Sequence, residues 1–130
     1  MKSFVRLALI MIAMLPAISF AQEKKTVWPE MKAFHALMSS TFHPTEEGNF
    51  APLKAKADSL YNAAKAWQAS AIPDTYKPAE TKETLEKLVA QLKVLQGAVK
   101  ANAADEKLKV LIAEAHETFH KIVGECKKTE

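Results

Sequence analysis

Residues 108–126, "LKVLIAEAHETFHKIVGEC", decide the fold class of this chain. Apolar side chains recur along the stretch at alternating steps of four and three residues, at Leu108, Ile112, Ala115, Phe119, Ile122 and Cys126. That spacing places all of them on one side of an α-helix. The stretch therefore predicts an amphipathic helix over about residues 105–123 that packs against other elements along one seam.

The same pattern occurs three more times, and residues that favour turns separate the segments. The three earlier helices are predicted over about residues 29–42, 50–69 and 79–100. The first is expected to end before Pro44, because proline disfavours a helical conformation in the residue that precedes it. Four amphipathic segments with mostly short loops predict an all-α protein, an up-down-up-down antiparallel four-helix bundle.

Residues 1–21 form a separate unit at the start of the chain. Lys2 and Arg6 precede a short apolar run that ends at "SFA", residues 19–21. This order is typical of a secretory signal peptide that is cleaved, rather than of a membrane anchor. We therefore expect residues 22–130 to form one exported domain, in the periplasm or otherwise outside the cytoplasm, without membrane insertion.

Charge and cysteine content exclude several classes of function. Lys2 and Arg6 carry two of the three net positive charges, so the predicted domain is close to neutral. It has no basic patch with interleaved aromatic residues, which makes nucleic acid and anionic membranes poor candidates for partners. Cys126 is the only cysteine, so no internal disulfide is expected.

The four histidines belong to only two of the predicted helices. His35 lies in the first helix and His43 at its end, whereas His116 and His120 lie one turn apart on the fourth. The first and fourth helices of such a bundle are neighbours, so the imidazoles gather along one helix pair. The helical rise of about 1.5 Å per residue places Met31 and all the histidines except His43 in one layer, with His43 nearer the rim.

This arrangement predicts a transition-metal site. Two histidines at positions i and i+4 can bind one ion, and a third imidazole from another helix completes a common three-donor site. We predict that His35, His116 and His120 bind zinc or copper, with His43 or Met31 as a further ligand. The role would be metal binding, carriage or sensing rather than catalysis, and a solvent-exposed histidine pair without a ligand is the alternative.

Residues 116–120, "HETFH", also match the His-Glu-x-x-His pattern of zinc proteases, with Glu117 as the general base. The residues after His120 lack the third ligand that such proteases require. A small helical bundle also offers no strand edge to hold an extended peptide. We therefore do not expect an enzyme.

The predicted bundle resembles the cytochrome c-prime family and its soluble b-type relatives, which are exported four-helix proteins that bind haem. The ligand histidine of that family corresponds to His120, but His116 and Phe119 stand where the cysteines of the Cys-x-x-Cys-His attachment motif would be. The resemblance therefore implies non-covalent b-type haem for electron transfer, with His120 and Met31 as axial ligands. The additional imidazoles of His35 and His116 favour a directly bound metal ion instead.

A third hypothesis needs no cofactor. The acidic loop "TEEGN", residues 45–49, or Trp28 would then contact a protein partner, and the bundle would serve as an interaction module. The oligomeric state does not follow from the sequence.

Overall fold

The computed structural model describes residues 28–129, which form four helices. These are α1 (Pro29–Glu46), α2 (Ala51–Ala69), α3 (Pro78–Lys100) and α4 (Asp105–Glu125). The predicted all-α four-helix bundle is confirmed. Within residues 28–129, no helix combines the length and the apolar character needed to cross a membrane. The predicted signal peptide, residues 1–21, lies outside the described residues.

The predicted seams form the core. All six apolar positions from Leu108 to Cys126 are buried, and so are the four leucines of α3. Buried residues with the same alternating spacing lie along and just before α2, at Phe50, Leu53, Ala57, Leu60, Ala64 and Trp67. In α1, Phe34 and Met38 are fully buried, whereas Met31 and Phe42 remain half-buried. Consecutive helices pack closely on each other, but α1 and α4 contact each other at far fewer positions. The open side of the bundle is therefore the seam between the two helices that carry the histidines.

The first helix is longer than predicted, since it continues through Pro44 to Glu46. The prediction that it ends before Pro44 is wrong. Thr45 is buried and donates a hydrogen bond from Oγ1 to the carbonyl of Phe42 at 2.6 Å. The backbone N–H groups of Glu47 and Asn49 then close the helix end on the carbonyl of Pro44, at 3.1 and 2.9 Å. Burial of Thr45 and these hydrogen bonds offset the free-energy cost of a proline inside a helix. Because the helix continues past Pro44, His43 also lies on it.

Two groups of contacts close the opposite end of the bundle. The indole Nε1 of Trp28 donates to Ser70 Oγ at 2.8 Å, which ties the start of α1 to the end of α2. The chain after α4 pairs with the loop between α2 and α3 through backbone bonds of 2.8 Å, from Lys77 N to Cys126 O and from Lys128 N to Thr75 O. Trp28 is thereby held at one end of the open seam between α1 and α4.

Candidate functional site

His116 and His120 form the centre of the candidate site. They lie one turn apart on α4, and their Nε2 atoms are 3.1 Å apart. Two imidazole nitrogens bound to one tetrahedral zinc ion at 2.0–2.1 Å would be separated by about 3.3 Å. The two rings are nearly perpendicular, at 83°, with centroids 4.4 Å apart. The pair therefore has the donor separation of a chelating pair, although one neutral ring can also donate a hydrogen bond to the other at this distance.

Residues from the last turns of α1 surround His116. Its ring stacks on Phe42, with centroids 3.9 Å apart and planes inclined by only 15°. The ring centroid of His43 lies 6.4 Å from that of His116. His43 Nδ1 in turn lies 3.3 Å from Glu46 Oε2, one turn further along the same helix. The α1 imidazole that accompanies His116 is therefore His43.

His35 lies elsewhere on the same seam, where its ring stacks on Phe119 with centroids 5.1 Å apart and an angle of 17°. Counting from the helix ends placed His35 opposite His116, but the structure places Phe42 there. Phe42 lies four residues from the end of α1 and His116 eleven from the start of α4, so α4 begins about 10 Å beyond the end of α1. The sequence contains no measure of that offset.

No three His, Cys, Asp or Glu side chains within residues 28–129 are grouped closely enough to hold an ion. The side chains of His35, His116 and His120 do not form a three-ligand site in their present positions. The site of these three histidines therefore stays a prediction. Three imidazoles on one ion would have ring centroids about 5 Å apart. The 6.4 Å between His43 and His116 exceeds this only slightly, and His43 is exposed and able to rotate.

The surroundings of His116 lower the pKa of its imidazole below the usual 6.5. Partial burial contributes most, because it disfavours the charged ring. His120, His43 and, to the smallest extent, His35 lower the pKa further, whereas the carboxylate of Glu46 acts in the opposite direction. The neutral imidazole, which is the form that binds metal, is therefore favoured at His116.

A groove of about 440 Å³ runs along the open seam beside this site. From α1 it is lined by Met31, Lys32 and His35, with Trp28 just before the helix. From α4 it is lined by Phe119, His120 and Val123. Met31 and His120, the axial pair that the haem alternative requires, therefore border one groove. The sulfur of Met31 also accepts a hydrogen bond of 3.5 Å from the Tyr76 hydroxyl.

Glu117, the base of the protease alternative, lies apart from that groove. Together with His120 it lines a polar groove between α3 and α4. Sequence reasoning did not identify Glu46 or Phe42 as site residues. The sequence predicts Glu46 in the loop of residues 45–49, whereas it lies in the last turn of α1. On that longer helix, its spacing of three residues from His43 is the signal that places the two side chains together. Phe42 enters the sequence analysis only as the last residue of the first predicted helix.

Comparison of this chain with protein-family models, with curated proteins and with solved structures finds no match. The case for any function therefore depends on the residues of the chain themselves.

Proposed function

We propose that this protein binds a transition-metal ion through His116 and His120 of α4, with His43 of α1 as the third ligand. The observation that supports this most directly is the 3.1 Å separation of the two Nε2 atoms on α4. His43 contributes from α1 after a rotation of its exposed side chain. An ion held in this way would cross-link the first and last helices along the seam where the bundle packs least closely.

The donor set limits the kind of ion. Neutral imidazoles suit zinc, copper, nickel and iron, and three of them without a carboxylate ligand favour zinc or copper over calcium or magnesium. Glu46 lies one turn from His43 on the same exposed surface, and a carboxylate that accepts from Nδ1 of the rotated histidine leaves Nε2 free to bind metal. The lowered pKa of His116 reduces the competition from protons at neutral pH.

The biological role that follows is metal binding, carriage or sensing in an exported protein. Export is inferred from residues 1–21, in which positive charge, an apolar run and "SFA" follow one another. Three protein ligands leave one position of a tetrahedral ion for water or for a donor from a partner, which allows transfer of the ion.

Competition for zinc against a chromophoric chelator tests the proposal directly, with the mature protein and its His116→Ala, His120→Ala and His43→Ala variants. We expect one ion per chain, and much weaker binding in each variant. His35→Ala serves as the matched control, because it removes an α1 imidazole that does not border His116. Equal zinc affinity in the wild type and in His116→Ala would refute the proposal.

A second candidate function is non-covalent b-type haem binding. It is favoured by one observation, that Met31 and His120 line the same groove. The bond from Tyr76 to the Met31 sulfur counts against it, since that bond would have to break before the sulfur reached an iron atom. Titration with haemin decides between the candidates: haem binding gives an intense absorption band near the violet, which His120→Ala abolishes and His35→Ala leaves intact.

A further inference from the structure

The groove between α1 and α4 combines an apolar floor with a purely basic polar lining. Its apolar side chains include Met31, Phe119 and Val123, and its polar side chains are Lys32, His35 and His120. We propose that the groove binds a small amphipathic carboxylate, such as a medium-chain fatty acid. This inference goes beyond the proposed function, because it requires no metal ion.

The groove exists because α1 and α4 do not close on each other as the consecutive helices do. Met31 and Val123 lie on this seam and stay half-buried, so their apolar surface is left in contact with solvent. An acyl chain laid along the seam would cover that surface, and removal of apolar area from water is the main source of affinity for such a ligand.

Charge determines which head group the groove prefers. No carboxylate lines it, and Lys32 forms no ion pair with any other residue in the range 28–129. The ammonium group of Lys32 is thus available to a carboxylate, and His35 and His120 add hydrogen-bond donors on the same lining. A ligand with the same apolar tail and a cationic head group would contact the same apolar side chains, but its charge would be repelled by Lys32.

The length of the groove limits the length of the tail. Its lining on the α1 side runs from Trp28 to His35, which corresponds to about 10 Å of helix. An extended chain advances about 1.2 Å per bond, so about eight carbons fill the groove. Each added methylene should strengthen binding by about fourfold until that length is reached, and by much less afterwards.

Isothermal calorimetry with the mature protein in the presence of a metal chelator tests this proposal without reference to metal binding. The probes are hexanoate, octanoate, decanoate and dodecanoate below their micellar concentrations, and decyltrimethylammonium as a cation whose chain has as many carbons as decanoate. We expect stoichiometric binding of the carboxylates, a plateau in affinity beyond the octanoate or decanoate chain, and severalfold weaker binding of the cation than of decanoate. Displacement of solvent beside Trp28 should also change its fluorescence.

Two variants locate the binding site. Lys32→Gln removes the charge but keeps a long polar side chain at this exposed position of α1. It should weaken decanoate binding about threefold, as expected for loss of an exposed ion pair. Lys93→Gln, at an exposed position of α3, is the matched control and should leave binding unchanged. Val123→Asp places a carboxylate in the groove and should abolish binding, with helicity confirmed by circular dichroism.

Three outcomes would overturn the proposal. One is the absence of carboxylate binding, and another is equal binding of decanoate and decyltrimethylammonium, which would indicate adsorption to apolar surface without charge selection. The third is tight binding of haemin by a protein that ignores all four carboxylates, which would assign the groove to haem. Since metal is chelated throughout, none of these outcomes depends on whether the histidine site binds zinc.

Discussion

Metal ions should raise the thermal stability of this protein, and substitution of single histidines should remove most of that rise. The proposed ligands come from the last turns of α1 and from the middle of α4, so the ion bridges two helices that otherwise pack sparsely. In the unfolded chain His43 is far from the pair on α4 in sequence, and the helical geometry that aligns the pair is lost. The folded state should therefore bind the ion much more tightly than the unfolded state.

The magnitude follows from mass action. An ion at 100 times its dissociation constant stabilises the folded state by about 2.7 kcal/mol. For a domain of about 100 residues this corresponds to a rise in Tm of roughly 10–15 °C. If loss of one imidazole weakens binding about 100-fold, the same ion concentration contributes only about 0.4 kcal/mol, or roughly 2 °C.

Differential scanning calorimetry with and without zinc measures this rise for each variant against its own chelated sample, so that any effect of the substitution on the apo protein cancels. We expect His116→Ala, His120→Ala and His43→Ala to lose most of the rise, and His35→Ala to keep it. A full rise in His116→Ala or His120→Ala would refute the reasoning as a whole. Loss of the rise in His35→Ala with its retention in His43→Ala would instead show that the site forms around His35.

Three further predictions concern the metal-free protein. Because the pKa of His116 is lowered in the folded protein, the unfolded chain binds a proton more tightly at this residue. The free energy of unfolding should therefore fall as the pH drops below 6.5 and level off below the folded-state pKa of His116. Urea unfolding at several pH values should show this fall, and His116→Gln should remove it. Ser70→Ala leaves the buried Nε1 of Trp28 without an acceptor and should cost about 1–3 kcal/mol in the same assay. Lys54→Gln breaks an exposed ion pair of 2.8 Å with Asp105 and should change stability by less than about 1 kcal/mol, so a larger loss would contradict the assignment of that pair as superficial.

The sequence alone determined the fold class and most of the core. The seam from Leu108 to Cys126 is buried as predicted, because burial of one helical side depends on a periodicity that is present in the chain itself. The sequence also determined that the histidines lie on neighbouring helices, because the first and last helices of a bundle with short loops are adjacent. The proximity of the His116 and His120 rings followed from the helical repeat.

Only the tertiary structure decided which imidazole of α1 lies beside His116. The choice between His35 and His43 depends on how far α4 extends beyond α1, and on whether α1 continues through Pro44. Packing determines both the length of α1 and the offset of α4. Burial of Thr45 keeps the last turn of α1 helical despite Pro44, and His116 stacks on Phe42 at the offset that the two helices adopt. Local spacing specifies which side of a helix a residue occupies, whereas the height at which two helices meet depends on contacts between residues far apart in the chain.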